Sequence, residues 1–269
     1  MTRVAPLILE TPAEIGQQLA TRILDGLDGA RAAGRSYLLG CPGGRSAKPV
    51  YDALGALLAA APRSIAHLVI VMMDEYVVET ADGFAYVDPT AHFSCRRFAV
   101  EEIAAVLNAG LAEADRVPAD AIWLPDPAAP EAYDGRIEAA GGIDLFLLAS
   151  GASDGHVAFN PAGTSRGTRS HIVTLAIDTR RDNMKTFPAF RDLSEVPTHG
   201  VSVGVDTIAR LSKSAAMIVW GRQKQLAFWY LTHGEHYDPA WPATVIFDCR
   251  EPSLYADRAA AERTPEQTA

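Results

Sequence analysis

Four short stretches of this chain carry residues that could do chemistry, and each follows an apolar run. "GASDGHVAFNPAG" (151–163) sets Asp154 and His156 two residues apart in a glycine-flanked turn. A carboxylate beside an imidazole can tune it for proton transfer near neutral pH. "MMDEY" (72–76) ends an apolar run in two carboxylates and a tyrosine. A carboxyl at a buried strand end is partly desolvated, which raises its pKa and makes it a better base. Neighbouring strand side chains point to opposite faces, so one of Asp74 and Glu75 should meet a ligand and the other should be structural.

The third stretch is "GCPGGRSAKP" (40–49), between a strand-like and a helix-like segment. Gly43 and Gly44 let backbone N–H groups come close to a ligand, and the helix start adds partial positive charge. Phosphate is the natural guest, with Arg45 and Lys48 available to add charge. The spacing is neither the dinucleotide GxGxxG nor a Walker loop, and a plain Gly–Gly turn is the competing reading. The fourth signal is a pair of basic positions, Arg180 in "IDTRRDN" and Lys224 in "WGRQKQ". Each follows a strand-like run, and either alone is most simply a surface charge. "HGEH" (233–236) lacks a Cys or Asp partner cluster, so no metal site is assigned.

These stretches need elements to hold them. "TPAE" (11–14) is a capping box, with Thr11 at the N-cap, Pro12 at N1 and Glu14 at N3. Ile15, Leu19, Ile23 and Leu27 then share one helix face. Segments 46–61, 101–111, 130–140 and 222–233 also read as helices. Segments 36–41, 67–74, 144–150, 214–221 and "ATVIFD" (243–248) read as strands, several of them continuously apolar, as parallel strands covered on both faces are. The alternation predicts an α/β fold, a Rossmann-like doubly wound, mostly parallel sheet with flanking helices. Ligands in such sheets bind beyond the C-terminal strand ends, near a switch in strand order. Residues 1–252 are expected to form one domain, with 253–269 a polar tail that is mobile or a short surface helix.

Composition narrows the class. The 269 residues are 48% hydrophobic, and the net charge is −9. That charge argues against nonspecific nucleic-acid binding. Three widely spaced cysteines suggest no disulfide framework and fit a reducing compartment. With neither a leader pattern nor an 18-residue apolar run, a soluble cytoplasmic protein without a membrane partner is expected.

Taken in order, "PGGRS", "MDEY", "GASDGHVAFNPAG", "DTR" and "GRQK" resemble the glucosamine-6-phosphate deaminase/isomerase and 6-phosphogluconolactonase superfamily, over roughly residues 10–250. "VSVGVDTI" (201–208) resembles the family's TVGVGTL. "MDEY" and "HVAFN" are similar to the deaminase version, while "GGRSAKPVY" (43–51) resembles the lactonase version. The resemblance implies a Rossmann-like fold and a small-molecule sugar-phosphate ligand, with no redox cofactor and no metal. It implies that Asp74 moves a proton between C1 and C2 of the opened sugar. His156, with Asp154 beside it, would assist ring opening. Gly43 and Gly44 would lie under the phosphate, Arg180 and Lys224 would contact it, and Ser46 and Tyr76 would be near the ligand; Arg45, where the relatives have a small residue, would reshape the pocket or meet another anionic group on the ligand. Relatives range from monomers to larger assemblies, so a homo-oligomer is compatible.

One position departs from the pattern. The deaminases keep a glutamate behind the catalytic histidine where this chain has Pro161. Any acid supporting His156 must then be Asp154 or come from elsewhere. The leading expectation is a hexose or amino-hexose 6-phosphate isomerase/deaminase. The alternatives are a lactonase in which His156 activates water, and a non-catalytic sugar-phosphate sensor.

Overall fold

The computed structural model describes residues 4–262. Eleven strands form two sheets. The larger sheet contains β1 (Pro6–Leu9), β2 (Tyr37–Cys41), β3 (Leu68–Met72), β6 (Ile122–Trp123), β7 (Leu145–Ala149), β10 (Ala215–Val219) and β11 (Pro252–Asp257). The smaller contains β4 (Asp74–Thr80), β5 (Gly83–Tyr86), β8 (His171–Thr174) and β9 (His199–Ser202). The large sheet runs β1-β11-β10-β7-β2-β3-β6 with every pairing parallel. This is the expected doubly wound α/β architecture. β2, β3 and β10 are buried along their whole length, which explains their unbroken apolar runs.

From β2 the chain builds outward through β3 and β6, then returns to β7 on the other side of β2. The switch in strand order therefore falls between β2 and β7. The crevice there opens between the loops that follow them, which carry "PGGRS" and "GASDGH".

The first helix, Pro12–Ala32, begins as the capping box predicts. Thr11 Oγ1 accepts from the Glu14 N–H at 3.2 Å, while Glu14 Oε2 accepts from the Glu10 N–H one residue before the cap. Ile15, Leu19, Ile23 and Leu27 are each at most 1% exposed. This helix packs on Lys48–Ala60, which buries Val50, Tyr51, Leu54 and Leu58.

Two expectations are corrected. The segment 243–248 is not a strand but part of a 3-10 helix, Pro242–Asp248. A short buried apolar run does not by itself distinguish a strand from helical turns. Local bonds decide it here, because Thr244 Oγ1 accepts from the Asp238 N–H at 2.7 Å and donates to the Trp241 carbonyl at 2.6 Å. The chain from 253 onward is not a detached tail. Pro252–Asp257 forms β11, paired on both sides, and Arg258–Ala261 is a helical turn capped by Asp257. Leu254 and Ala256 bury completely or nearly so, which holds the strand in place. Residues 263–269 of the expected tail lie outside the described residues. A smaller second sheet accompanies the expected one. β4, β5, β8 and β9 form an antiparallel sheet in the order β5-β4-β9-β8.

The two sheets meet at one residue. β3 ends at Met72 and β4 begins at Asp74, leaving Met73 as the joint. Asp74 pairs with Ser202 in the small sheet, while Met72 pairs with Cys41 in the large one.

Candidate active site

A cavity of about 270 Å³ lies at the switch in strand order. Its walls include Gly43, Gly44, Arg45 and Ser46 after β2, Asp74 and Tyr76 at the sheet junction, His156 after β7, and Lys224 after β10. Residues from four separate strand ends thus meet in one place. Gly44 has φ +80, a conformation that costs glycine little, and it turns the loop tightly into the helix. The N-cap of that helix, Ala47, offers no side chain to the first turn.

Asp74 is 6% exposed and opens on the cavity. Burial pushes its carboxyl up to about 7. A hydrogen bond from the Cys95 thiol opposes the rise, and the neighbouring Glu75 charge adds to it. A base poised there is half ionised near neutral pH. Glu75 turns the other way, as strand geometry requires. Its carboxylate accepts from Ser94 Oγ, the Cys95 N–H and the Arg96 N–H at 2.8–2.9 Å, capping the helix that starts at Cys95. One acid therefore faces the cavity and the other is structural.

His156 donates through Nδ1 to Asp154 Oδ1 at 2.7 Å. Nε2 is then the nitrogen left for a ligand. Burial alone would raise the Asp154 pKa, but the hydrogen bond and charge of His156 outweigh it and hold the carboxyl below its ordinary value. Asp154 thus stays ionised and fixes the imidazole. Thr179, 1% exposed, lies 3.4 Å from His156 Nδ1 and 3.5 Å from Asp154 Oδ2. The turn is held by Gly155, with φ +64, where a side chain would run into the Trp241 ring. Beyond it Ala158 adopts φ 50, a strained value for a non-glycine residue, on the cavity wall.

The basic groups are arranged unevenly. Lys224 donates from Nζ to the Ser150 carbonyl at 2.5 Å. Its pKa is lowered, first by burial; the nearby Arg45 charge lowers it further, against the opposing pull of Asp182 and Asp154. Two cations that disfavour each other across a cavity make a seat for an anion. Arg45 forms no side-chain hydrogen bond or ion pair among the described residues. Trp220, at the end of β10, donates to the Ser46 carbonyl at 2.9 Å and ties the glycine loop to the neighbouring wall. Arg180 is not brought to the cavity. Its Nη2 donates to the Leu193 and Val196 carbonyls at 2.6 and 3.0 Å, bracing the turn at 193–196. The helix it belongs to, Ile177–Thr186, instead lines the cavity with Asp182, Asn183 and Lys185.

Reading the residues by motif missed Cys95, Asp182, Asn183 and Lys185. Asp182 and Lys185, three apart and ion-paired at 3.0 Å, share a helix face that helical spacing could have revealed. Cys95 carries no sequence signal, because its place depends on Glu75 twenty residues earlier. Among the described residues, no group of three or more His, Cys, Asp or Glu is placed to hold a metal ion. No described helix is long and apolar enough to cross a membrane.

No family model matches the chain. It is similar to the glucosamine-6-phosphate deaminase of Beutenbergia cavernae, 35% identical over 232 residues that cover 84% of this chain and 81% of that one. It is 34% identical over 263 residues to the glucosamine-6-phosphate deaminase of Mycolicibacterium smegmatis, covering 96% and 91%. Solved structures share the fold. A monomeric glucosamine-6-phosphate deaminase matches with a TM-score of 0.78 at 23% identity, over 97% of this chain and 99% of that one. A 6-phosphogluconolactonase from Trypanosoma cruzi matches with a TM-score of 0.67 at 14% identity, over 98% of each chain.

Proposed function

We propose, for a chain that belongs to the glucosamine-6-phosphate deaminase/isomerase family, that it converts a hexose or amino-hexose 6-phosphate by proton transfer between C1 and C2. The observation that carries this reading is Asp74, a buried carboxyl poised near neutral pH in a cavity that Arg45, Lys185 and Lys224 also line.

The sugar phosphate seats its anion against the Gly43–Gly44 loop, with Arg45, Ser46, Lys185 and Lys224 around it. The reacting carbons then point to Asp74 and His156. His156 Nε2 takes the proton of the anomeric hydroxyl and passes it to the ring oxygen as the C1–O5 bond breaks, leaving the aldehyde. Asp74 takes the C2 proton, leaving an enediol, or an enolamine if C2 bears an amine. It returns a proton to C1 after the one it holds has exchanged in part with solvent. With an amine, the C2 imine adds water and expels ammonia, giving the ketose phosphate. Asp154 orients His156 and stabilises its cation throughout. That pairing supports Asp154 as the acid behind the histidine in a chain that has Pro161 where the deaminases keep glutamate. Three buried, unbridged cysteines support a reducing, cytoplasmic setting.

Incubation with glucosamine 6-phosphate should yield ammonia and fructose 6-phosphate, with deuterium from D₂O appearing at C1. Folded protein that turns over no hexose or amino-hexose 6-phosphate would overturn the reading. The intact Asp154–His156 pair together with the lactonase-like "GGRSAKPVY" favours one second reading, hydrolysis of 6-phosphogluconolactone with His156 as base. Activity that survives Asp74→Asn and is lost in His156→Ala would select it.

A further inference from the structure

We propose that Cys95 is a positioning residue for the proton-transfer step: its thiol donates to Asp74 Oδ1 and leaves Oδ2 as the oxygen presented to the substrate. The proposal rests on Asp74 being the base of the reaction above. Sγ lies 3.4 Å from Oδ1, within reach of a sulfur hydrogen bond. Among the described residues no other side chain hydrogen-bonds Asp74. A carboxylate anchored through one oxygen cannot rotate about Cβ–Cγ without breaking that bond. The proton acceptor is therefore held in one orientation before substrate arrives.

The thiol is placed by the second acid of the same motif. Glu75 Oε1 accepts from the Cys95 N–H at 2.9 Å, and Oε2 accepts from Ser94 Oγ and the Arg96 N–H at 2.8 Å each. Glu75 thus fixes the helix start, the helix start fixes the thiol, and the thiol fixes Asp74. The two carboxylates of "MDEY" point apart and are linked again through Cys95.

Cys95 is suited to this and to little else. It is 5% exposed, and burial together with the Glu75 and Asp74 charges pushes its pKa well up. It stays a thiol, a donor, and not a nucleophilic thiolate. A thiol is also a weak donor. It orients the carboxylate without draining its basicity as a hydroxyl would. The other titratable group acting on Asp74 is Glu75; Tyr51, Tyr76 and Tyr133 feel the Asp74 charge, and His156 shares the cavity wall. None of these changes in a Cys95 variant.

The test compares Cys95→Ala and Cys95→Ser with the parent protein in two arms. The first is the pH profile of kcat/KM with the sugar phosphate. The second is the ¹³C NMR titration of the Asp74 carboxyl, assigned with Asp74→Asn, which needs no turnover. Cys95→Ala should move both midpoints upward by about 0.5–1 pH unit and lower kcat several-fold with KM nearly unchanged. Cys95→Ser should bring the midpoint back to the parent value or below it. Coincident NMR midpoints in the parent and a Cys95→Ala protein of native circular dichroism would overturn the proposal. Loss of turnover on every sugar phosphate would count against the proposed function, while the NMR arm would still decide the link between thiol and carboxylate.

Discussion

The Asp154 carboxylate and the His156 imidazole share one hydrogen bond of 2.7 Å, closed across a turn that only Gly155 separates. Replacing Asp154 by Asn leaves the ring without its counter-charge and frees it to take the other tautomer. We expect Asp154→Asn to lower kcat about 10- to 100-fold and His156→Ala about 100- to 1,000-fold. Because the Asp154 pKa is depressed, its stabilising pairing is complete above the ordinary carboxylate range and is lost as pH falls through the folded value. Acid unfolding of Asp154→Asn should therefore begin from a lower stability at pH 6 and fall less steeply below pH 4.

Asp74 should show the opposite linkage. Its folded pKa is raised from 3.8 to about 7, so the folded state holds a proton the unfolded state has released. Stability then falls as pH rises from about 4 to about 7, and the full cost is present above that. The shift sets an upper figure of about 4 kcal/mol. Asp74→Asn should abolish isomerisation yet raise Tm at pH 8, with little gain at pH 4. Thermal melts at the two pH values, beside an assay, check both halves.

The same carboxyl should set the pH–activity curve. The acid limb of kcat/KM should have its midpoint near pH 7, since only the carboxylate form can accept the C2 proton. A limb centred near pH 4 would mean that the base is a solvated acid elsewhere.

Arg45 and Arg180 should separate cleanly. Arg45→Ala removes a charge that has no side-chain partner among the described residues at the cavity wall and should raise KM at least 10-fold with a smaller change in kcat. Arg180→Ala releases the carbonyls of Leu193 and Val196 and should act mainly on stability, with KM changed less than 3-fold. Steady-state kinetics and melting of the two variants give the comparison.

Gly155→Ala should cost about 2–4 kcal/mol, from a positive φ combined with a collision against the Trp241 ring. Denaturant unfolding measures it.

The layout of the large sheet and the position of the crevice were legible because β2, β3, β7 and β10 are buried on both faces and advertise it in apolar runs. Asp74, His156, Arg45 and Lys224 were legible because each lies just beyond such a run. The small sheet was not. β5 has four residues, alternately exposed and half-buried, and β8 is a similarly short strand, so neither carries a strong periodic signal. Arg180 is not at the cavity where it was expected, and Lys185, which carried no expectation, lines it, because the direction of a side chain on an amphipathic helix depends on what the helix docks against. Here the carbonyls of the 193–196 turn claim the arginine.

One residue, Met73, separates the end of β3 from the start of β4, and Asp74 stands immediately beyond it. The proposed base thus stands where the two sheets join, paired to Ser202 in the small sheet and two residues from the Met72–Cys41 pairing in the large one. A substitution at Met73 therefore disturbs both sheets at once, whereas one in β5 or β8 falls in the small sheet alone.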